Sequence, residues 1–117
     1  MPDPDLGRPR IVCLCGSTRF LDAFDAASIQ QTLAGNIVLS IATTRTADVD
    51  LFADRSPAEQ EELREHLAAL HRAKIDLADE VLVLNVGGYI GAATRGEIAY
   101  AERTGTPVAY LEPLGTA

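Results

Sequence analysis

The chain has 117 residues, of which 47% are hydrophobic and 23% charged, and its formal net charge is −7 at pH 7. This size predicts one compact domain, and the acidic balance argues against a nucleic-acid polymer as partner, because binding along that backbone needs clustered Lys and Arg. No apolar run approaches the ~20 residues that span a bilayer and no secretory leader is recognisable, so we expect no membrane contact and a cytoplasmic protein.

The first nine residues contain three prolines, so we expect residues 1–9 to be a disordered lead before a single folded domain over residues 10–117. The apolar run Ile11 to Cys15 follows as a first strand, in which Cys13 and Cys15 share one face as small buried side chains. We predict no metal ion and no cofactor, because C-x-C is shorter than the usual C-x-x-C ligand spacing and both histidines are far along the chain.

A tight turn, Gly16-Ser17-Thr18-Arg19, follows this strand. Backbone amides at the start of a helix, the Ser17 hydroxyl and the Arg19 guanidinium are donors that suit a phosphate or a ribose. Alternatively, Ser17 only caps the helix and Arg19 points to solvent. Both interpretations stay open, and Gly16, Ser17 and Arg19 are candidate ligand-binding residues.

The first helix is predicted over Phe20 to Leu33, ending at Gly35 before a second strand, Ile37 to Ala42. The polar loop 43–55 that follows has no periodicity, and we interpret it as a candidate lid.

The second helix has the clearest start, because Ser56 and Glu59 form a capping box with Pro57 at the first helical position. This helix is expected to reach about Leu77. Four leucines recur at helical spacing and predict a buried stripe: Leu63, Leu67, Leu70 and Leu77.

A third strand, Val81 to Val86, leads into a loop with three glycines. Glycine lets the backbone approach a ligand closely, and Tyr89 can stack on a base or close a pocket. The alternative is a plain turn in which Tyr89 packs on a neighbour. We favour a pocket or a subunit contact, with these candidate substrate-binding residues: Asn85, Gly87, Gly88, Tyr89 and Gly91.

The last helix is predicted from about Ala93 to Thr104, closed by Gly105 and Pro107, before a fourth strand, Val108 to Leu111. It carries Glu97 in its first turn, where the helix dipole keeps a carboxylate ionised, as an attacking group must be. Because Thr94 stands three residues before Glu97, a capping box is the competing interpretation. Thr94 and Arg95 are further candidate substrate-binding residues.

Short apolar strands that alternate with helices predict βαβ crossovers and a small three-layer, Rossmann-like or flavodoxin-like α/β domain with four or five parallel strands. Ligands of such folds bind at the carboxyl ends of the strands, where the two turns and Glu97 are expected to meet. Because the edges of so small a sheet need cover, we also expect a homodimer.

The segments LADEVLVLN, GGYIG and TRGEIAYAERTGTPVAYLEP, with the turn CGSTRF, resemble the nucleoside 2-deoxyribosyltransferase-like superfamily, which includes nucleotide N-glycosidases. The resemblance is most specific over residues 73–113. It implies that Glu97 attacks the anomeric carbon of a nucleoside or 5′-nucleotide, and that a second base or water resolves the glycosyl-enzyme. It also implies that Ser17 and Arg19 lie near the sugar or its 5′ substituent.

Two positions differ from the family pattern. His71 stands where typical members carry an acidic residue, and it can protonate a leaving base near neutral pH; the alternative is a surface histidine like His66. Gly91 replaces a typical Asp or Ser six residues before the nucleophile. We therefore hold two main hypotheses, an N-glycosidase or transferase acting through Glu97 and a module that binds a nucleotide-derived molecule without turnover, with a structural subunit as a third.

Overall fold

The computed structural model describes residues 7–41 and 54–114. In these ranges four strands alternate with three helices. The strands are β1 (Ile11–Cys15), β2 (Ile37–Leu39), β3 (Glu80–Val83) and β4 (Val108–Tyr110), and the helices are α1 (Leu21–Leu33), α2 (Pro57–Leu77) and α3 (Ala92–Thr104). Residues 1–6 of the predicted lead and nearly all of the predicted lid, residues 43–53, lie outside the described ranges.

All neighbouring strands of the sheet are parallel, in the order β2-β1-β3-β4. The chain adds β2 on one side of β1 and then adds β3 and β4 on the other side of β1. The direction in which strands are added therefore reverses between β1 and β3. The crevice outside the carboxyl ends of two such strands is the usual ligand position in open α/β sheets. The predicted fold class is confirmed: this is a small three-layer, Rossmann-like α/β domain with a four-stranded parallel sheet.

Alternation of side chains along β1 divides the core into two layers. Val12 and Leu14 pack with Phe24 of α1 on one face of the sheet. Cys13 and Cys15 face the opposite layer, where they pack with Ile75 of α2. The predicted buried position of both cysteines on one face is confirmed, since each is fully buried.

Local signals set the start of α2 and the end of α3 as predicted. The Ser56 hydroxyl accepts from the Glu59 amide at 3.1 Å, and the Glu59 carboxylate accepts from the Ser56 amide at 3.1 Å, which completes the capping box of α2. Gly105 closes α3 with a left-handed φ of 81°, a conformation that glycine adopts without steric cost. None of the described helices combines the length and apolar character needed to cross a bilayer.

The predicted leucine stripe of α2 is wrong in its second half. Leu70 and Leu77 are 46% and 64% exposed, whereas the buried residues of this helix are His71 and Ile75. The half-buried Leu63 and Leu67 continue at a spacing of four through His71 and Ile75. A spacing of four residues keeps side chains on one helix face, and a pattern based on leucine alone misses a histidine that belongs to it.

Asp79 ties the start of β1 to the chain that precedes it. Its carboxylate accepts hydrogen bonds from the Ile11 amide at 2.8 Å and from both terminal nitrogens of Arg8 at 2.7 and 3.1 Å. These contacts lower the pKa of Asp79 to about 2, with the Arg8 hydrogen bond as the largest cause. The described chain is therefore held in place from at least Arg8.

We expect Asp79→Asn to lower the free energy of unfolding by about 1 kcal/mol at neutral pH, a modest value because the ion pair is partly exposed. Since the folded-state pKa lies below that of the unfolded chain, this contribution is complete above about pH 4 and is lost as the pH falls toward about 2. Urea unfolding followed by circular dichroism at several pH values measures it. Glu65→Gln, an exposed change on α2, is the control, and equal stability of Asp79→Asn and wild type at neutral pH would contradict the prediction.

Candidate active site

The turn after β1 fits tightly against the end of β3. A Cβ atom on Gly16 would lie 3.2 Å from the Leu84 Cβ and 3.3 Å from the Leu84 carbonyl oxygen, so glycine permits this close approach. The Ser17 hydroxyl accepts from the Arg19 amide at 3.3 Å, which makes Ser17 a cap. It caps a 3-10 turn, Thr18–Phe20, that precedes α1.

Arg19 and Tyr89 join the two loops at the carboxyl edge. The Arg19 guanidinium lies 4.2 Å from the centre of the Tyr89 ring, a distance at which a cation is attracted to the ring face. Phe20 meets the same ring edge to face, with centroids 5.9 Å apart. These contacts bring together two loops that sequence reasoning assigned separately to the ligand edge.

Asn85 is buried and fully engaged with the segment after β4. Its side-chain amide donates to the Glu112 carbonyl and accepts from the Glu112 amide, both at 2.9 Å. The Glu112 carboxylate accepts from the Gly87 amide at 2.9 Å. Asn85 therefore holds the glycine loop in position, where Gly87 and Gly88 both have positive φ, and sequence reasoning missed Glu112 because its signal is a single acidic residue.

The predicted position of Glu97 within the last helix needs a correction. Helix α3 begins at Ala92 with Gly91 as its N-cap, so Glu97 lies in the second turn and not the first. The Thr94 and Glu97 capping box is wrong, because Gly91 takes the cap position and Thr94 is buried inside the first turn. The dipole of α3 acts mainly on its first turn, so other neighbours set the ionisation of Glu97.

Glu97 belongs to a compact cluster with His71, Cys15 and Cys13. The Nε2 atom of His71 lies 3.6 Å from Glu97 Oε1, 3.1 Å from Cys15 Sγ and 3.9 Å from Cys13 Sγ. His71 is only 6% exposed, so its interpretation as a surface residue is wrong, whereas His66 on the same helix is exposed. The sequence distance between His71 and the cysteines was misleading, because α2 carries His71 across the face of β1.

Burial and charge act against each other in this cluster. Burial raises the pKa of Glu97, and the neighbouring charge of His71 opposes that effect. Burial also lowers the pKa of His71, but its hydrogen bond to Cys13 and the charge of Glu97 outweigh this, so the pKa of His71 is raised overall. An ionised Glu97 therefore depends on a charged His71 beside it.

The two thiols shift each other's pKa in opposite directions through a side-chain hydrogen bond. That hydrogen bond from Cys15, together with the nearby His71, lowers the pKa of Cys13 to about 5 against the opposing effect of burial. The same hydrogen bond and burial raise the pKa of Cys15. One of the two thiols thus loses its proton readily and the other retains it.

A cavity of about 510 Å³ opens beside the cluster. This volume is within the ordinary range of small-molecule sites. Its lining is largely apolar, with both Glu97 and His71 in the wall, and consists of Thr18, Ile41, Arg64, Leu67, Ala68, Leu70, His71, Lys74, Ala93 and Glu97. The cysteines lie behind His71 and do not line it.

The candidate site residues fall into three groups. Glu97 and His71 line the cavity of about 510 Å³, and Arg19 lines a second hollow of about 440 Å³ formed by Thr18–Ala23 and Val86. The other candidates line neither: Gly16, Ser17, Asn85, Gly87, Gly88, Tyr89, Gly91, Thr94 and Arg95. The sequence analysis did not identify Leu67 and Lys74 of α2 as lining residues. They lie four residues before and three residues after His71, and this spacing places them on the same helix face as His71.

Comparisons with known protein families, with characterised proteins and with solved structures each find no match. Fold and site by themselves define a small three-layer α/β protein with a buried His-Cys-Cys cluster and a half-buried glutamate at the wall of a small-molecule cavity. Its function is therefore argued from the chemistry of these side chains.

Proposed function

We propose that this protein cleaves or transfers at the N-glycosidic bond of a nucleoside or 5′-nucleotide, with Glu97 as the nucleophile. The observation that carries the proposal is the position of Glu97, a carboxylate 23% exposed in the wall of a cavity of about 510 Å³. Sequence resemblance to the nucleoside 2-deoxyribosyltransferase-like superfamily independently favours the same residue.

In this proposal the Glu97 carboxylate attacks the anomeric carbon as the bond to the base breaks, and an ester to the sugar forms. The leaving base needs a proton, and His71, which lines the same cavity 3.6 Å from Glu97, supplies it in this proposal. Water or a second base then attacks the sugar, and Glu97 is released as a carboxylate. The apolar lining limits access of water, which strengthens charge interactions at the reacting carbon.

Two cations at the cavity suit a phosphorylated substrate. Arg64 and Lys74 both line it, and the Lys74 ammonium donates to the Ser40 carbonyl at 2.6 Å, which holds this side chain at the rim. Ammonium and guanidinium groups are common phosphate ligands. A 5′-nucleotide is therefore the preferred substrate class within the proposal.

We also propose that the protein is cytoplasmic and forms a homodimer, for which the exposed Ile29 and Leu33 leave apolar surface on α1. Sedimentation velocity of the full chain measures this directly, and a monomer at micromolar concentration would contradict it.

The direct test incubates the full chain with a panel of nucleosides and 5′-nucleotides and measures the free base by chromatography. We expect base release from at least one 5′-nucleotide, faster than from the matching nucleoside. No release from any member of the panel, by a protein that circular dichroism and a cooperative melt prove folded, would overturn the proposal.

The second candidate is a binding module that holds a nucleotide-derived molecule without turnover. It is favoured by His71 and Gly91, which stand where typical members of the superfamily carry an acid and an Asp or Ser. A ligand selective for the folded state raises the melting temperature by mass action. A nucleotide that raises it without releasing base would favour this candidate over the enzyme.

A further inference from the structure

Three metal-ligating side chains meet in the buried layer behind the cavity. The ligand atoms of Cys13, Cys15 and His71 all lie within 4.8 Å of one another, and His71 Nε2 is 3.9 and 3.1 Å from the two sulfur atoms. Zinc bonds of about 2.3 Å to sulfur and about 2.0–2.1 Å to nitrogen, at tetrahedral angles, require sulfur-to-nitrogen separations of about 3.6 Å. The two observed separations bracket that value, so small side-chain shifts are enough to form the site.

We propose that Cys13, Cys15 and His71 bind one Zn²⁺ ion, with the Glu97 carboxylate as the fourth ligand. Two sulfur atoms and one imidazole are a donor set that selects a tetrahedral, thiophilic ion. Glu97 Oε1 lies 3.6 Å from His71 Nε2 but outside the set of three ligand atoms within 4.8 Å of one another, so its side chain must move toward the sulfur atoms to join them. The four donors come from β1, α2 and α3.

The fold explains why C-x-C serves here although its spacing is unusual for zinc. Residues two apart in a strand point to the same face, so Cys13 and Cys15 are neighbours without any turn between them. The third ligand arrives from α2, which packs on this face through His71 and Ile75. The strand and the helix thus supply the geometry that a loop provides in ordinary C-x-x-C sites.

Charge and access also favour a cation. Both cysteines are fully buried, and a buried thiolate without a partner is costly, whereas a zinc ion neutralises two of them. The protons still held by the thiols, and the second proton of a charged His71, leave to solvent when the ion binds. Two of the proposed ligands, His71 and Glu97, line the cavity, so an ion from solvent meets them first.

The zinc site stands independently of the glycosidic reaction. One consequence alone rests on the proposed function: an ion bound to His71 and Glu97 would remove both groups from catalysis. In that case Zn²⁺ inhibits base release and a chelator restores it.

The test titrates the reduced, metal-free full chain with Co²⁺ under nitrogen, then displaces the cobalt with Zn²⁺. We expect one ion per chain, an intense near-ultraviolet thiolate-to-cobalt band and the visible bands of tetrahedral Co²⁺. A folded wild-type protein that gives no thiolate band, or that binds Zn²⁺ only weakly and without saturation at one ion per chain, would overturn the proposal.

Variants assign the ligands. Loss of a residue that only hydrogen-bonds to a metal ligand typically costs roughly 10- to 100-fold in affinity, and loss of a ligand itself costs more. We therefore expect each of three variants, Cys13→Ser, Cys15→Ser and His71→Gln, to weaken Zn²⁺ binding by at least about 100-fold. The matched control is His66→Gln, an exposed histidine on the same helix, which should leave binding unchanged. Unchanged affinity in a folded Cys15→Ser or His71→Gln protein, or a loss in His66→Gln, would contradict the assignment.

Glu97→Gln separates this inference from the proposed function. We expect it to weaken Zn²⁺ binding by about 10-fold while the thiolate band persists, because the two sulfur ligands remain. Zinc binding by a chain whose metal-free form releases no base would keep this inference and end the enzymatic one, and base release without any thiolate band would do the reverse.

Discussion

Glu97→Gln is expected to abolish base release, lowering kcat/KM by at least about 10³-fold, because an amide cannot form the ester to the sugar that the proposed reaction requires. The exchange keeps the size of the side chain and its position in the cavity wall. Glu102→Gln, an exposed change on the same helix, is the matched control and should retain wild-type rates. The measurement is initial-rate release of base from the best substrate of the panel.

The same experiment has a covalent readout. Acid quenching during turnover, followed by mass spectrometry of peptides, should detect the sugar moiety on the peptide that contains Glu97 in wild type and not in Glu97→Gln. Base release by Glu97→Gln at the wild-type rate, or a sugar adduct on another residue, would contradict the role of Glu97.

Ile75→Ala is expected to lower the free energy of unfolding by about 2–5 kcal/mol, the usual cost of emptying a fully buried site of this size. Ile75 has no exposed surface and packs against the layer that contains Cys13 and Val81. Since small domains unfold with about 5–15 kcal/mol in total, this loss is a large part of the stability. Urea unfolding followed by circular dichroism measures it.

The informative control is Leu77→Ala, two residues further along the same helix. A pattern based on leucine spacing predicts that Leu77 is buried, but its side chain is 64% exposed. We therefore expect a change within about 0.5 kcal/mol. A larger loss from Leu77→Ala than from Ile75→Ala would mean that α2 presents a different face to the sheet, and the cluster around His71 would then not form.

Much of the fold could be predicted because it rests on local signals. The start of α2 is indicated by Ser56, Pro57 and Glu59, and the end of α3 is indicated by Gly105 and Pro107. The first strand has the predicted bounds, but the other three end earlier than predicted; β2, for example, pairs with β1 over three residues only, Ile37–Leu39. An apolar run indicates which residues of a strand are buried, but the backbone hydrogen bonds to the neighbouring strand decide where that strand ends.

The candidate site was less predictable, for a physical reason visible in α2. Each residue turns a helix by about 100°, so a misjudged stripe changes which side chain faces the sheet. A buried stripe through Leu70 and Leu77 predicts that His71 points away from the core, whereas in the structure His71 is buried and both leucines are exposed. Only this observed orientation of α2 allows the contact between His71 and Cys15, which are 56 residues apart in the chain.

By itself the sequence determined the alternation of strands and helices, the caps at the start of α2 and the end of α3, the shared face of Cys13 and Cys15 and the carboxyl edge as the place to look. Those features depend on residues close together in the chain, and their energies are local. Only the tertiary structure decided that His71 and Glu97 meet the two cysteines beside one cavity. These contacts depend on the orientation in which α2 and α3 pack against the sheet, and the packing of the whole core determines that orientation.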